Sequence, residues 1–346
     1  MFQKNTSVRA VRPTSKAIIV AVLVLGVVGM GLRTSAQSNG LGITPKLSYT
    51  IKSGEELTDT LFIDNLSDTQ PLSLQVKVID FRPQDETGTP QLLLGKDPPE
   101  MPWSLKPYIT LPATVDIEAG KSKQVPFTIK FPEGVGAGSY YSAIEYISVT
   151  GANEDQVSVA ASSATLIFVN IPGSATELLS MVQFGAFEKD KFKSIFSKPP
   201  TSFAYRLKNG GNVNERPAGT VIIKNSFGKI IASIENINPR DELALIGQTR
   251  RFEVCYPKKT DSASLRQANN CQPLKIKPGK YQAEIVILYG ENGSETRQIG
   301  AKMTFWYLPL WFIIIFAAVV ALILFGLLWL WRRFTHLRQR RQRHHH

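Results

Sequence analysis

From Pro309 to Trp331 the chain runs 23 residues without a charged side chain. As an α-helix such a run reaches about 34 Å at roughly 1.5 Å per residue, enough to cross a hydrocarbon core of about 30 Å. Residues 308–331 are therefore expected to form one transmembrane helix. Trp306, Tyr307 and Trp311 at one end, and Trp329 and Trp331 at the other, put amphipathic rings at both headgroup layers. Arg332 and Arg333 open a basic tail, 332–346, whose six arginines obey the positive-inside bias. The tail is thus expected in the cytoplasm of a single-pass plasma-membrane protein with its body outside. Membrane lipid, met through this one helix, is the first expected partner.

The opposite end reads as a secretory signal, residues 1–36. Lys4, Arg9, Arg12 and Lys16 precede an uncharged stretch from Ala17 to Leu32, and Thr34-Ser35-Ala36 follows. Arg33, inside the cleavage region, leaves an uncleaved anchor as the alternative. These ends also explain the net charge of +12. Five basic residues lie in 1–36 and six in the tail, leaving 29 basic against 28 acidic residues between them. The body is nearly neutral, so no nucleic-acid partner is expected. All four histidines, His336 and His344 to His346, lie in the tail. Nucleophilic sites built on histidine, and imidazole zinc sites, are thereby excluded from the body.

Between the two ends, alternating apolar segments recur with Pro, Gly, Asn or Asp at their edges: 57–65, 72–81, 124–131, 139–149, 164–171, 202–209, 219–225, 228–234, 250–256 and 281–289. Asn292-Gly293 adds a hairpin turn. This pattern predicts an all-β body of antiparallel Ig-like sandwiches. Two copies are expected, because four stations recur in order. Asn65 matches Asn209, the strand through Val76 matches that through Val221, Gly120 matches Gly247, and "GSYYSAIEYI" from Gly138 matches "GKYQAEIVIL" from Gly279. The boundaries drawn are 37–173 and 174–307. In Ig-like folds a tyrosine on such a late strand often ties its hydroxyl to nearby backbone, so Tyr140 and Tyr281 read as core rings rather than ligand contacts.

The copies differ by insertions, where function tends to sit. In the first copy, residues 82–112 are proline-punctuated and hold Trp103, which would either plug one end of the sandwich or stand exposed as an anchor. Asp85, Glu86, Asp97 and Glu100 lie there too, without the ordered spacing of a calcium loop. In the second copy an insert is bracketed by Cys255 and Cys271, the only two cysteines. In an exported chain they are expected to form one disulfide, worth about 3 kcal/mol in the chain-entropy model. No catalytic residue, cofactor or metal site is expected.

The run "MPWSLKPYITLPATVDIEAGKSKQVPFTIKFPEGVGAGSYYSAIEY" resembles the first Ig-like domain of bacterial WxL-interacting surface proteins, the DUF916 type. The order of signal, two Ig-like domains, membrane helix and basic tail is similar as well. The resemblance covers most of residues 41–173 and extends weakly to the second copy. It implies peptidoglycan binding by the first domain and contacts with host or partner surface proteins by the second. Two-domain chaperones of pilus assembly are a more distant likeness, and the membrane helix argues against a soluble chaperone. The expected function is adhesion to cell-wall polymer or to another exported protein, with Trp103, Tyr108 and Tyr141 as candidate contacts. A structural subunit held through its membrane helix, and a carboxylate-dependent glycan hydrolase, are the alternatives.

Overall fold

The computed structural model describes residues 40–95, 98–149, 162–258, 271–290 and 296–343. The expected signal peptide, the Asn292-Gly293 turn, Asp97, the three terminal histidines and most of the loop between the cysteines lie outside the described residues.

Up to residue 171 the strands are β1 (Leu41–Ile43), β2 (Lys46–Thr50), β3 (Glu56–Asn65), β4 (Leu72–Ile79), β5 (Phe81–Pro83), β6 (Pro90–Leu92), β7 (Ile109–Thr110), β8 (Thr114–Ile117), β9 (Ser122–Lys130), β10 (Gly138–Ser148) and β11 (Ser162–Ile171). Those that follow are β12 (Leu179–Glu188), β13 (Lys191–Lys193), β14 (Ile195–Phe196), β15 (Ser202–Asn209), β16 (Ala218–Asn225), β17 (Ile230–Ile234), β18 (Thr249–Cys255), β19 (Gly279–Tyr289) and β20 (Arg297–Tyr307). The helix α1 spans Leu310–Arg343.

Alternation along each strand sends every second side chain to one face. In the first half, β1-β3-β9-β7 form one sheet and β2-β11-β10-β4-β8 another. Leu61, Ile63, Phe127 and Ile129 from the first meet Val76, Ile144, Tyr146 and Ile167 from the second in a buried core. The second half repeats the plan, with β13-β12-β15-β18 facing β14-β20-β19-β16-β17. There Phe203, Tyr205 and Phe252 meet Val221, Ile223 and Ile285.

The stations that repeat in the sequence occupy the same places in the two halves. Strand β3 lies beside β9 as β15 lies beside β18, and β4 beside β10 as β16 beside β19. Asn65 and Asn209 each end a strand as buried amides. Asn65 Nδ2 donates to the carbonyls of Gln70, Ile117 and Glu118. Asn209 Nδ2 donates to those of Val213 and Ala244. Each Oδ1 accepts the N–H two residues on, from Ser67 and Gly211. Gly120 and Gly247 turn the chain into β9 and β18 at φ of 65° and 73°, where a side chain would be strained. The Tyr140 and Tyr281 hydroxyls donate to the carbonyl four residues upstream, Gly136 at 3.0 Å and Lys277 at 2.7 Å.

The sheets depart from the expected antiparallel pattern at two places. Strand β2 runs parallel to β11, and β14 parallel to β20. In the first half the chain passes from β1 into β2 across Pro45 without reversing; in the second, β13 runs back along β12 and the chain turns at Ser194 to enter the other sheet as β14. The expected strand 72–81 breaks at Asp80, and β5 leaves the sheet to pair with β6 alone. The expected strand 228–234 starts only at Ile230, because Gly228 takes φ 78° in the preceding turn. Among the described residues one helix, over Leu310–Arg333, is long and apolar enough to cross a membrane. Only Leu308 and Pro309 separate it from β20.

Candidate functional site

The insertion at 82–112 reaches across to the second half. Its tip, between β5 and β6, is closed by Gln84 N donating to the Thr89 carbonyl. Asp85 Oδ1 accepts from both the N–H and the hydroxyl of Thr87, which holds its carboxyl below the usual range. This local turn presents two carbonyls outward. Gln248 Nε2 donates to that of Asp85 at 3.1 Å, and Arg251 N to that of Glu86 at 2.7 Å. The second bond engages β18 on its free edge. The Glu86 carboxylate clasps the Arg206 guanidinium, with Nε at 2.8 Å and one terminal nitrogen on the other oxygen. Gly88 sits at φ 83° against Arg250, where a Cβ would collide with the guanidinium.

Behind the tip, the insertion covers the outer face of the second sheet. Tyr140 points inward on β10, so Tyr141 points outward, yet Tyr141 is 0% exposed. Trp103 stacks on it with ring centres 5.6 Å apart and planes 22° apart. Phe81 lies 4.9 Å away on the same ring. The Trp103 carbonyl accepts from Tyr141 N. Asp80 anchors the insertion's return, its Oδ1 accepting from Ser142 Oγ at 2.7 Å and Ser104 Oγ at 2.8 Å. From the second half, Leu243, Leu245 and Ile246 close over the same apolar cluster. Burial pushes the Tyr141 hydroxyl far above its ordinary value, and Asp80 adds to the shift.

Beside this cluster opens a cleft of about 280 Å³ between the halves. Ser48 and Thr50 of β2, together with Ser139 and Asn170, form one wall, and Asn214, Arg216 and Leu243 the other. Asn214 is held by its own N–H on Ser139 Oγ at 2.9 Å and by Ile246 N on its Oδ1 at 3.2 Å. Its Nδ2 is buried with no acceptor among the described residues. Arg216 Nε lies 2.9 Å from Asp241. Lys46, on the same face of β2 as Ser48, stands 5.4 Å over the Phe168 ring. Burial pushes the Lys46 ammonium below its usual value, and Arg216 and Arg250 push it further against the opposing pull of Asp241.

The candidate contacts do not assemble as expected. Trp103 neither plugs an end of the sandwich core nor stands free; it is the lid on Tyr141, because the face it covers lies between the halves. Enclosed on every side, Tyr141 is out of reach of a surface ligand. Tyr108 is half-buried on the core side, 4.7 Å from Phe131 and 6.1 Å from Tyr140. The three rings are therefore no single site. Asp85 and Glu86 serve the turn and the Arg206 pair, and among the described residues no three His, Cys, Asp or Glu side chains converge as a metal site would need.

Cys255 and Cys271 are joined. Trp306 is 41% exposed on β20, whereas Tyr307 packs partly buried on the second core, since neighbours on a strand face opposite ways. Trp311, Trp329 and Trp331 are exposed along α1, with Arg332 and Arg333 at its basic end. The Arg333 guanidinium lies 5.3 Å over the Trp329 ring. What sequence reasoning missed is the cleft wall, Ser48, Asn170, Asn214 and Arg216, none of which carries a motif.

No protein-family model matches the chain, and no curated protein matches it. Solved structures do match. A chain from a chaperone–tip adhesin complex of CFA/I fimbriae biogenesis is 13% identical over 78% of this chain and 99% of its own, with a TM-score of 0.37. The class 5 fimbriae chaperone CfaA is 15% identical over 78% and 100%, at 0.34. The E. coli chaperone DraB is 14% identical over 77% and 98%, at 0.33. At TM-scores this low the likeness says nothing of what this chain binds.

Proposed function

We propose that this is a non-enzymatic binding protein of the bacterial cell surface, held in the plasma membrane by α1 with its body outside. In this reading the body is two Ig-like domains docked at one angle by the Glu86–Arg206 clasp and the Trp103–Tyr141 lid. The cleft left between them is the binding site. One observation carries the proposal: Asn214, on the wall of a cleft lined by Ser, Thr, Asn and Arg side chains, keeps a buried Nδ2 that meets no acceptor among the described residues. Such a site suits a ligand rich in carbonyls, hydroxyls and carboxylates, as cell-wall peptidoglycan is, or an acidic segment of an exported protein. The resemblance to WxL-interacting surface proteins supports the same two partners.

The test uses the full-length protein in lipid nanodiscs, incubated with purified peptidoglycan and separately with the exported proteins of the source cell. Retention on either supports the proposal. Retention on neither removes it.

A further inference from the structure

The end of the second half from which α1 departs carries exposed apolar tips and a group of lysines. Strand β20 runs into α1 through only Leu308 and Pro309. The Leu308 N–H still pairs with the Phe196 carbonyl at 2.8 Å, so the sheet continues to the edge of the helix. Three residues of extended chain reach at most about 10 Å, so Tyr307 lies within that distance of the first apolar turn of α1.

Strand register brings the other loops to the same level. Gly279 pairs with Tyr307, and Asn225 pairs with Tyr281 two residues along. The turn after Asn225 therefore projects toward α1. At its tip Phe227 is 93% exposed, beyond any packing role in the fold. The turn is fixed rather than loose: Asn225 Oδ1 accepts the N–H groups of Phe227 and Lys229, and Ser226 Oγ donates to the Lys280 carbonyl at 2.9 Å. Ile195, paired beside Trp306, is 66% exposed at the same end.

Charge completes the pattern. Segments 194–201, 225–231 and 272–282 hold Lys198, Lys229, Lys275, Lys277 and Lys280, all exposed, and no Asp or Glu, while the hairpin between β12 and β13 at the same end sets Glu188 and Asp190 beside Lys189 and Lys191. Without these five lysines, residues 37–308 hold 24 basic against 28 acidic residues, which makes this end distinct. Exposed aromatic and aliphatic tips ringed by lysine match the composition of surfaces that enter the headgroup layer of an anionic bilayer. We propose that this end docks on the membrane that α1 enters, with Phe227 inserted at headgroup level and the five lysines against anionic lipid. The second half is then fixed in tilt on the bilayer and does not swing about Leu308–Pro309.

The experiment is spin labelling of the full chain carrying Phe227→Cys, reconstituted in nanodiscs containing phosphatidylglycerol, with Ser180→Cys at the far end of β12 as the reference. Accessibility to a water-soluble relaxant and to oxygen is read for each label. The expected result is a label at 227 shielded from the aqueous relaxant and open to oxygen, while the label at 180 stays water-exposed. Adding Lys229→Glu and Lys280→Glu abolishes the shielding. A label at 227 as water-exposed as that at 180 overturns the proposal, as does shielding that survives both charge reversals.

Discussion

Replacing Asn209 by Ala removes three hydrogen bonds from a side chain that is 0% exposed. At about 1 kcal/mol net for each bond, the expected loss is about 3 kcal/mol. Two buried carbonyls are also stripped of their donor, which makes this a lower figure. Asn65 makes four such bonds in the first half, one of them, to Ile117, long at 3.3 Å, so Asn65→Ala is likewise expected to cost about 3 kcal/mol. For a cooperative unit of about 130 residues, 1 kcal/mol shifts Tm by roughly 4 °C, and for twice that length by about half as much. Scanning calorimetry of the full-length protein in detergent thus measures two things. Shifts of about 10 °C confined to one of two transitions would mean that the halves melt separately; shifts of about 5 °C in a single transition would mean that the junction couples them. Asn209→Asp keeps the acceptor for Gly211 N but sets an oxygen against the Val213 and Ala244 carbonyls, and is expected to be no better than Ala. A loss below about 1 kcal/mol at both positions would refute the claim that these amides tie the turns of a duplicated fold.

Four further outcomes follow from the same contacts. Tyr281→Phe, which breaks a bond to the Lys277 carbonyl and another from its N–H, should cost about 1 kcal/mol in chemical denaturation, and Tyr140→Phe, with one bond, should cost less. Reducing Cys255–Cys271 should lower stability by about 3 kcal/mol at most and leave the first half's melting unchanged, as limited proteolysis with and without reductant would report. Arg206→Ala should loosen the junction while costing under about 1 kcal/mol, since the ion pair is partly exposed; a broader distance distribution between labels on the two halves would show it. Glu284, hydrogen-bonded to Lys224 and then Lys302, is held below the usual carboxyl range. Its contribution is complete above the ordinary glutamate value of about 4.3 and is lost as the pH falls through the depressed one. The Tm difference between wild type and Glu284→Gln should therefore vanish toward low pH.

Much of the sandwich plan was legible because a strand with one buried face announces it every second residue. Leu61 and Ile63, or Phe203 and Tyr205, show this directly. Strand β20 escaped although Ile299, Ala301, Met303 and Phe305 alternate inward, because it runs straight on into the aromatic residues read as the membrane interface. The duplicated phrase at Gly138 and Gly279 was readable, yet only one of its faces was. Tyr141 and Ala143 alternate away from the first core, and their partners Leu243 and Leu245 lie about a hundred residues along the chain. Such contacts leave no local period to read. For the same reason Trp103 was recognisable as unusual, while the surface it covers was not. The cleft is made of Ser, Thr, Asn and Arg side chains that look solvated in sequence, and only docking of the halves brings them together.

The cleft is the point on which the functional reading turns. Ser48→Trp, at an exposed position of β2, fills it without disturbing either core. The direct measurement is the affinity of the full-length protein, in nanodiscs, for soluble peptidoglycan fragments, wild type against Ser48→Trp. Binding that weakens tenfold or more, about 1.4 kcal/mol, is the predicted result. Equal binding by the two proteins would contradict a cleft-centred site.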